Sequence, residues 1–112
     1  GECAEFVKRK FSLSSVAVYG DLRTVVDIAA ICPGSGKDFV EDVIKVGADV
    51  YVTGDISHHT GIDSVAQNLM VIDAGHYGIE KIFVPYMKDF LKKQMPGIKV
   101  FTEETKNPFI VI

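Results

Sequence analysis

The run Gly47-Ala48-Asp49-Val50-Tyr51-Val52-Thr53-Gly54-Asp55 decides how this chain is read. Gly47 is suited to close a helix, because glycine takes positive φ at little cost. Val50-Tyr51-Val52-Thr53 is a short, β-rich, mostly apolar strand, and Gly54-Asp55 ends it on polar ground. The same signature occurs on either side. Upstream, Val25-Val26-Asp27-Ile28-Ala29-Ala30-Ile31 is nearly continuous apolar and predicts a strand buried on both faces, broken by Pro33-Gly34-Ser35-Gly36. Downstream, Leu69-Met70-Val71-Ile72 predicts a strand that opens into Asp73-Ala74-Gly75-His76.

Helical patterns separate these strands. Phe39, Val40, Val43 and Ile44 form an apolar stripe, with Asp38, Glu41, Asp42 and Lys45 opposite. The segment 57–68 predicts a second helix. A third recurs through Ile79, Ile82, Phe83, Tyr86, Met87, Phe90 and Leu91, kinked or divided by Pro85. A helix over about Cys3–Phe11 and a strand at Val16–Tyr19 come first, and strands at Ile98–Phe101 and Phe109–Ile112 come last. The alternation implies one α/β domain over residues 1–112, with helices packed on a mostly parallel or mixed sheet.

Bulk properties exclude several classes. The 112 residues suit a single globular domain, and 47% hydrophobic with 24% charged residues is not a disordered composition. The net charge of −3 leaves no basic field for nucleic acid; Lys8-Arg9-Lys10 and Lys92-Lys93 read as solvated helix faces. No apolar run approaches a membrane span, and the first residues do not resemble a secretory signal. Two distant cysteines, Cys3 and Cys32, exclude a cysteine-only zinc site and point to a reducing, cytoplasmic setting.

If the three strands are parallel, their polar ends share one edge, where open α/β sheets bind ligands. His76 and Glu80 stand four residues apart on a predicted helix, so both leave the same face, where an imidazole nitrogen and a carboxylate oxygen can share a divalent ion. A solvated surface pair is the plain alternative. Gly34-Ser35-Gly36 precedes a helix and suits a substrate phosphate, or else a tight turn with Ser35 as a cap. It is not a P-loop, since Ile31 and Asp38 stand where that motif needs glycine and Ser or Thr. Asp55 is a candidate substrate contact or helix cap, and at most one of the adjacent His58 and His59 can face the cleft.

Three strings, Cys32-Pro33-Gly34-Ser35-Gly36, the run from Gly47 to His59, and Ile72-Asp73-Ala74-Gly75-His76-Tyr77-Gly78-Ile79-Glu80, together resemble the Nif-three-like family, whose members carry the name GTP cyclohydrolase I type 2. Asn107-Pro108-Phe109 resembles that family's ending. The resemblance implies the C-terminal half of a longer protein and a dinuclear metal site in which His76 and Glu80 are one pair of ligands. A His-His pair and an acidic residue from the other half complete it, and no counterpart of these is visible here. It also implies that His59 lies near the metals, as a candidate proton shuttle, and that the protein forms ring-like homo-oligomers. Pro33 and Thr60 depart from the family's glycine and aspartate. Mixed nitrogen and oxygen ligation suits zinc, manganese, iron or nickel. The expected function is part of a metal-dependent hydrolase acting on a small nucleotide or phosphorylated substrate. The alternative is a non-enzymatic metal-binding, oligomerisation or interaction module with a regulatory role.

Overall fold

Val50–Gly54 lies at the heart of the molecule, with every residue buried. The computed structural model describes residues 1–110. Its elements are α1 (Glu2–Lys10), β1 (Ala17–Tyr19), β2 (Ala29–Ser35), a 3-10 turn (Lys37–Phe39), α2 (Val40–Lys45), β3 (Val50–Gly54), α3 (His58–Ala66), β4 (Met70–Asp73), α4 (His76–Glu80) and α5 (Phe83–Gln94). The sheet order is β1-β4-β3-β2. β2, β3 and β4 are parallel, and β1 is antiparallel to β4, so the sheet is mixed and the α/β class is as expected.

Strand alternation divides the core into two layers. Val50, Val52, Met70 and Ile72 face one side, against Ala4 and Val7 of α1 and Ile79 of α4. Tyr51, Leu69 and Val71 face the other, against Val40 and Val43 of α2 and Ile56. The end of α2 fixes where β3 begins. Gly47, at φ +73°, donates its N–H to the Ile44 carbonyl at 3.0 Å, and Ala48 donates to Val43 at 3.3 Å. This crossed pair satisfies the last carbonyls of the helix and turns the chain sharply into the sheet.

Several elements differ from the sequence reading. β2 is not buried on both faces: it lies at the edge of the sheet, and Ile31 is 60% exposed. It begins at Ala29, because the Asp49 carboxylate accepts the N–H groups of Asp27 and Ile28, at 2.9 and 2.7 Å, before a ladder can use them. Those two bonds, the Ile28 one first, hold the Asp49 carboxyl below its usual range. The strand also runs through Pro33 and Gly34 to Ser35, with an irregular register between Ile31 and Ser35. An edge strand tolerates proline, since no neighbour needs its missing N–H.

The predicted long helix is two helices, divided at Lys81–Ile82 and not at Pro85. Pro85 falls in the first turn of α5, where an N–H would have no partner inside the helix. No strand forms at Ile98–Phe101; after Gly97 the described chain is exposed except for the half-buried Val100, with no strand beside it among the described residues. Phe109 and Ile110 are also exposed and form no strand, and the rest of that predicted strand lies outside the described residues. Among the described residues, no helix is long and apolar enough to cross a membrane.

Candidate metal centre

The parallel registers bring the three polar strand ends level. Ser35 pairs with Gly54, and Thr53 pairs with Asp73. At that edge the chain makes two close turns. Between β3 and α3, Asp55 adopts a left-handed backbone at φ +56°. Ser57, not Asp55, caps α3: its hydroxyl accepts the Thr60 N–H at 3.1 Å. Ser35 caps nothing either, since the 3-10 turn starts from Gly36 without a side-chain cap. Between β4 and α4, Gly75 sits at φ +70° and launches α4 with His76 as its first residue.

The turns are packed backbone to backbone. A Cβ placed on Gly54 would stand 2.6 Å from both the Gly75 carbonyl carbon and the His76 nitrogen. On the other side, a Cβ on Gly34 would stand 2.5 Å from Glu80 Oε1 and 3.5 Å from His76 Cε1. Glycine at both positions is what lets the three strand ends close around the His76–Glu80 pair. Gly34 also takes φ +71°, a region that other residues seldom adopt.

His76 is held at both ring nitrogens. Nδ1 is 2.8 Å from Asp55 Oδ2, and Nε2 is 3.2 Å from Glu80 Oε2. Bonds of about 2.1 Å to one ion, at tetrahedral or octahedral angles, set neighbouring ligand atoms roughly 3.0 to 3.4 Å apart. The Nε2–Oε2 separation falls inside that span, so this donor pair fits a divalent cation. Asp55 is on the opposite nitrogen and faces away from such an ion. Accordingly, no three His, Cys, Asp or Glu side chains converge on one ion position among the described residues. This chain presents two candidate donors and a carboxylate on the far ring nitrogen, not a closed cage.

In the absence of metal, two carboxylates around one ring favour the imidazolium, which donates from both nitrogens. The hydrogen bond to Asp55 is the main cause that raises His76 above its ordinary pKa of 6.5, with the charge of Glu80 adding to it against some desolvation. The stabilisation from this pairing is therefore complete below about pH 6.5 and is lost as pH rises through the raised value. A divalent ion on Nε2 would have to displace a proton from His76, so its binding would have the opposite slope. An NMR titration of the metal-free chain is expected to place His76 above 6.5, with Asp55→Asn lowering it. A wild-type value at or below 6.5 would contradict the pairing.

The glycine turn is lashed to β3 from beneath. The Gly36 N–H donates to Thr53 Oγ1 at 3.0 Å, the Thr53 hydroxyl donates to the Gly34 carbonyl at 3.3 Å, and the Tyr51 hydroxyl donates to the Gly36 carbonyl at 3.0 Å. Burial, with Cys32 beside it, pushes the Tyr51 phenol up to about 12, so it stays a neutral donor. The amide of Gly36 is thus already engaged. Ser35 is exposed on the rim. His59 is exposed on α3, edge-to-face with His58 at a centroid distance of 5.7 Å. Among the described residues it makes no hydrogen bond to Asp55, His76 or Glu80. Thr53, Tyr51 and Asp73 brace the site and were not among the residues that the sequence singled out as functional. Asp73-Ala74-Gly75 carried a signal for one of them, since Asp commonly bonds the amide two residues on.

Fold and site define an α/β domain whose parallel strand ends gather an imidazole between two carboxylates. The sequence model of the Duf34/NIF3 (NGG1p interacting factor 3) family matches residues 1–108, and the chain belongs to that family. It is 43% identical over 88 residues to a Listeria monocytogenes protein named GTP cyclohydrolase 1 type 2 homolog, covering 79% of this chain and 23% of that one. It is 36% identical over 117 residues to the Bacillus subtilis protein of the same name, covering 96% and 30%. The crystal structure of a Bacillus cereus protein related to NIF3 superposes with a TM-score of 0.80 at 25% identity, over 99% of this chain and 32% of the other. The chain thus spans no more than a third of the length of these relatives.

Proposed function

We propose that this chain contributes one side of a divalent-metal site, with His76 and Glu80 as ligands and Asp55 as the outer partner of His76. The site would belong to a metal-dependent hydrolase acting on a small nucleotide or phosphorylated substrate, in a homo-oligomer whose remaining ligands come from polypeptide outside this chain. One observation carries the reading: Nε2 and Oε2 stand 3.2 Å apart while Asp55 holds the far ring nitrogen. A carboxylate on the second nitrogen of a ligating histidine fixes its tautomer and makes it a better donor.

When bound, a pair of divalent ions supplies an activated water and polarises the substrate. The protein's own part is to keep Nδ1–H on Asp55, so that the Nε2 lone pair is free, and to hold the Glu80 charge beside it. Gly34 and Ser35 form the adjacent wall for substrate, and Gly36 shapes it from within. His59, exposed on α3, is the candidate proton shuttle. The name carried by the Listeria and Bacillus relatives supports a nucleotide substrate.

Calorimetric titration of the metal-stripped chain with Zn²⁺, Mn²⁺, Fe²⁺ and Ni²⁺ tests this. Saturable binding by at least one ion is expected, weakened about tenfold to a hundredfold by Asp55→Asn. No saturable binding by any of the four would contradict it. One feature favours the second reading, a binding or assembly module. Helix α5 has no buried residue and exposes Phe83, Tyr86 and Phe90 along one side.

A further inference from the structure

We propose that Asp73 is a positioning residue for the Asp55–His76 pair: one carboxylate ties the turn that carries Asp55 to the turn that carries His76. The inference rests on His76 and Glu80 being ligands. Asp73 ends β4 and is half-buried. Its Oδ2 accepts the Ile56 N–H at 2.8 Å, and its Oδ1 accepts the Gly75 N–H at 2.9 Å. Ile56 follows Asp55 and Gly75 precedes His76, so each bond lies one residue from a member of the pair.

The pair needs such a brace. The side chains of Asp55 and His76 are 54% and 49% exposed. A hydrogen bond between two solvated side chains is worth little by itself, because water competes for both partners. What keeps them at 2.8 Å is the spacing of their backbones. Asp55 holds a left-handed backbone at φ +56°, a region that non-glycine residues seldom adopt without support from their surroundings. N–H bonds to an ionised carboxylate are among the stronger ones available for this. A second tie runs from the Ala74 N–H to the Thr53 carbonyl at 2.7 Å. It joins the strand ends but leaves the β3–α3 turn free. Among the described residues, Asp73 is the side chain that bonds both turns at once.

The chemistry of the two oxygens sets the test. Asp73→Ala removes both bonds. Asp73→Asn keeps one oxygen acceptor and presents an amide NH₂ to the other N–H, so one bond survives. The readout is the pair of ring ¹⁵N shifts of His76 in the metal-free chain, above the pH where the ring is neutral, with metal affinity measured alongside. Wild type is expected to be in the Nδ1–H form, held by Asp55. Asp73→Ala is expected to shift the ring to a mixture with the Nε2–H form and to raise the Kd for a divalent ion about tenfold. Asp73→Asn should fall between, and Asp55→Asn should reproduce the ring shift. Should the alanine variant fail to fold, the asparagine variant decides.

Folded variants that keep both wild-type ring shifts and wild-type affinity would overturn the proposal, as would a wild-type ring already in the Nε2–H form. A wild-type chain that binds no divalent ion removes the metal reading instead, and the ring shifts still report whether Asp73 sets the Asp55–His76 pair.

Discussion

Replacing His76 with alanine is expected to lower divalent-metal affinity by at least about a hundredfold, since even outer partners of metal ligands cost about tenfold to a hundredfold. The loss has two parts. The Nε2 donor disappears, and Glu80 is left as a single carboxylate with no neighbour to share an ion. Stability should change little, because His76 is about half exposed and its partners can return to water. Calorimetry for the affinity and urea unfolding for the stability separate the two effects. A variant that binds metal like wild type would mean that the ion sits elsewhere.

Gly54→Ala is the second large effect expected, and it leaves the side chains of both proposed ligands unchanged. The added methyl would stand 2.6 Å from Gly75 and His76 backbone atoms and 2.9 Å from the Gly75 carbonyl oxygen. Backbone cannot rotate aside as a side-chain tip can. The β4–α4 turn must therefore move, carrying His76 away from Asp55 on the neighbouring turn. Overpacking of this kind costs about 1–3 kcal/mol. The expected result is a lower urea midpoint together with weakened metal binding. A Gly54→Ala chain that unfolds and binds like wild type would show that the strand ends are looser than the structure describes.

The contrast between these two variants reflects what could be read in the sequence. β3 and β4 were legible because both are buried on each face, and a run such as Val50-Tyr51-Val52 has no other stable place. The convergence of polar ends was legible because each strand runs directly into glycine and charge. The His76–Glu80 pair was legible from spacing alone, since an α-helix puts residues four apart on one side.

What was not legible depends on distant partners. The late start of β2 comes from Asp49, twenty-odd residues on, which takes the N–H groups of Asp27 and Ile28. The apolar run 98–101 has strand composition, but a strand exists only where another strand bonds it. Asp55 looked like a cap or a substrate contact. Its left-handed backbone turns it instead onto the far nitrogen of His76, which no local pattern announces. Asp73 was legible as a turn former through Gly75, whereas its bond to Ile56 was not. The glycine turn was read as open to an anion, yet the amide of Gly36 is taken by Thr53 from a neighbouring strand.

The measurement that bears most directly on the proposed metal centre is anomalous diffraction from crystals of the chain soaked with a zinc or manganese salt. A peak at bonding distance from both His76 Nε2 and Glu80 Oε2, with Asp55 still on Nδ1, is the predicted result. A peak that bypasses both residues, or that lies on the Asp55 side of the ring, would contradict it.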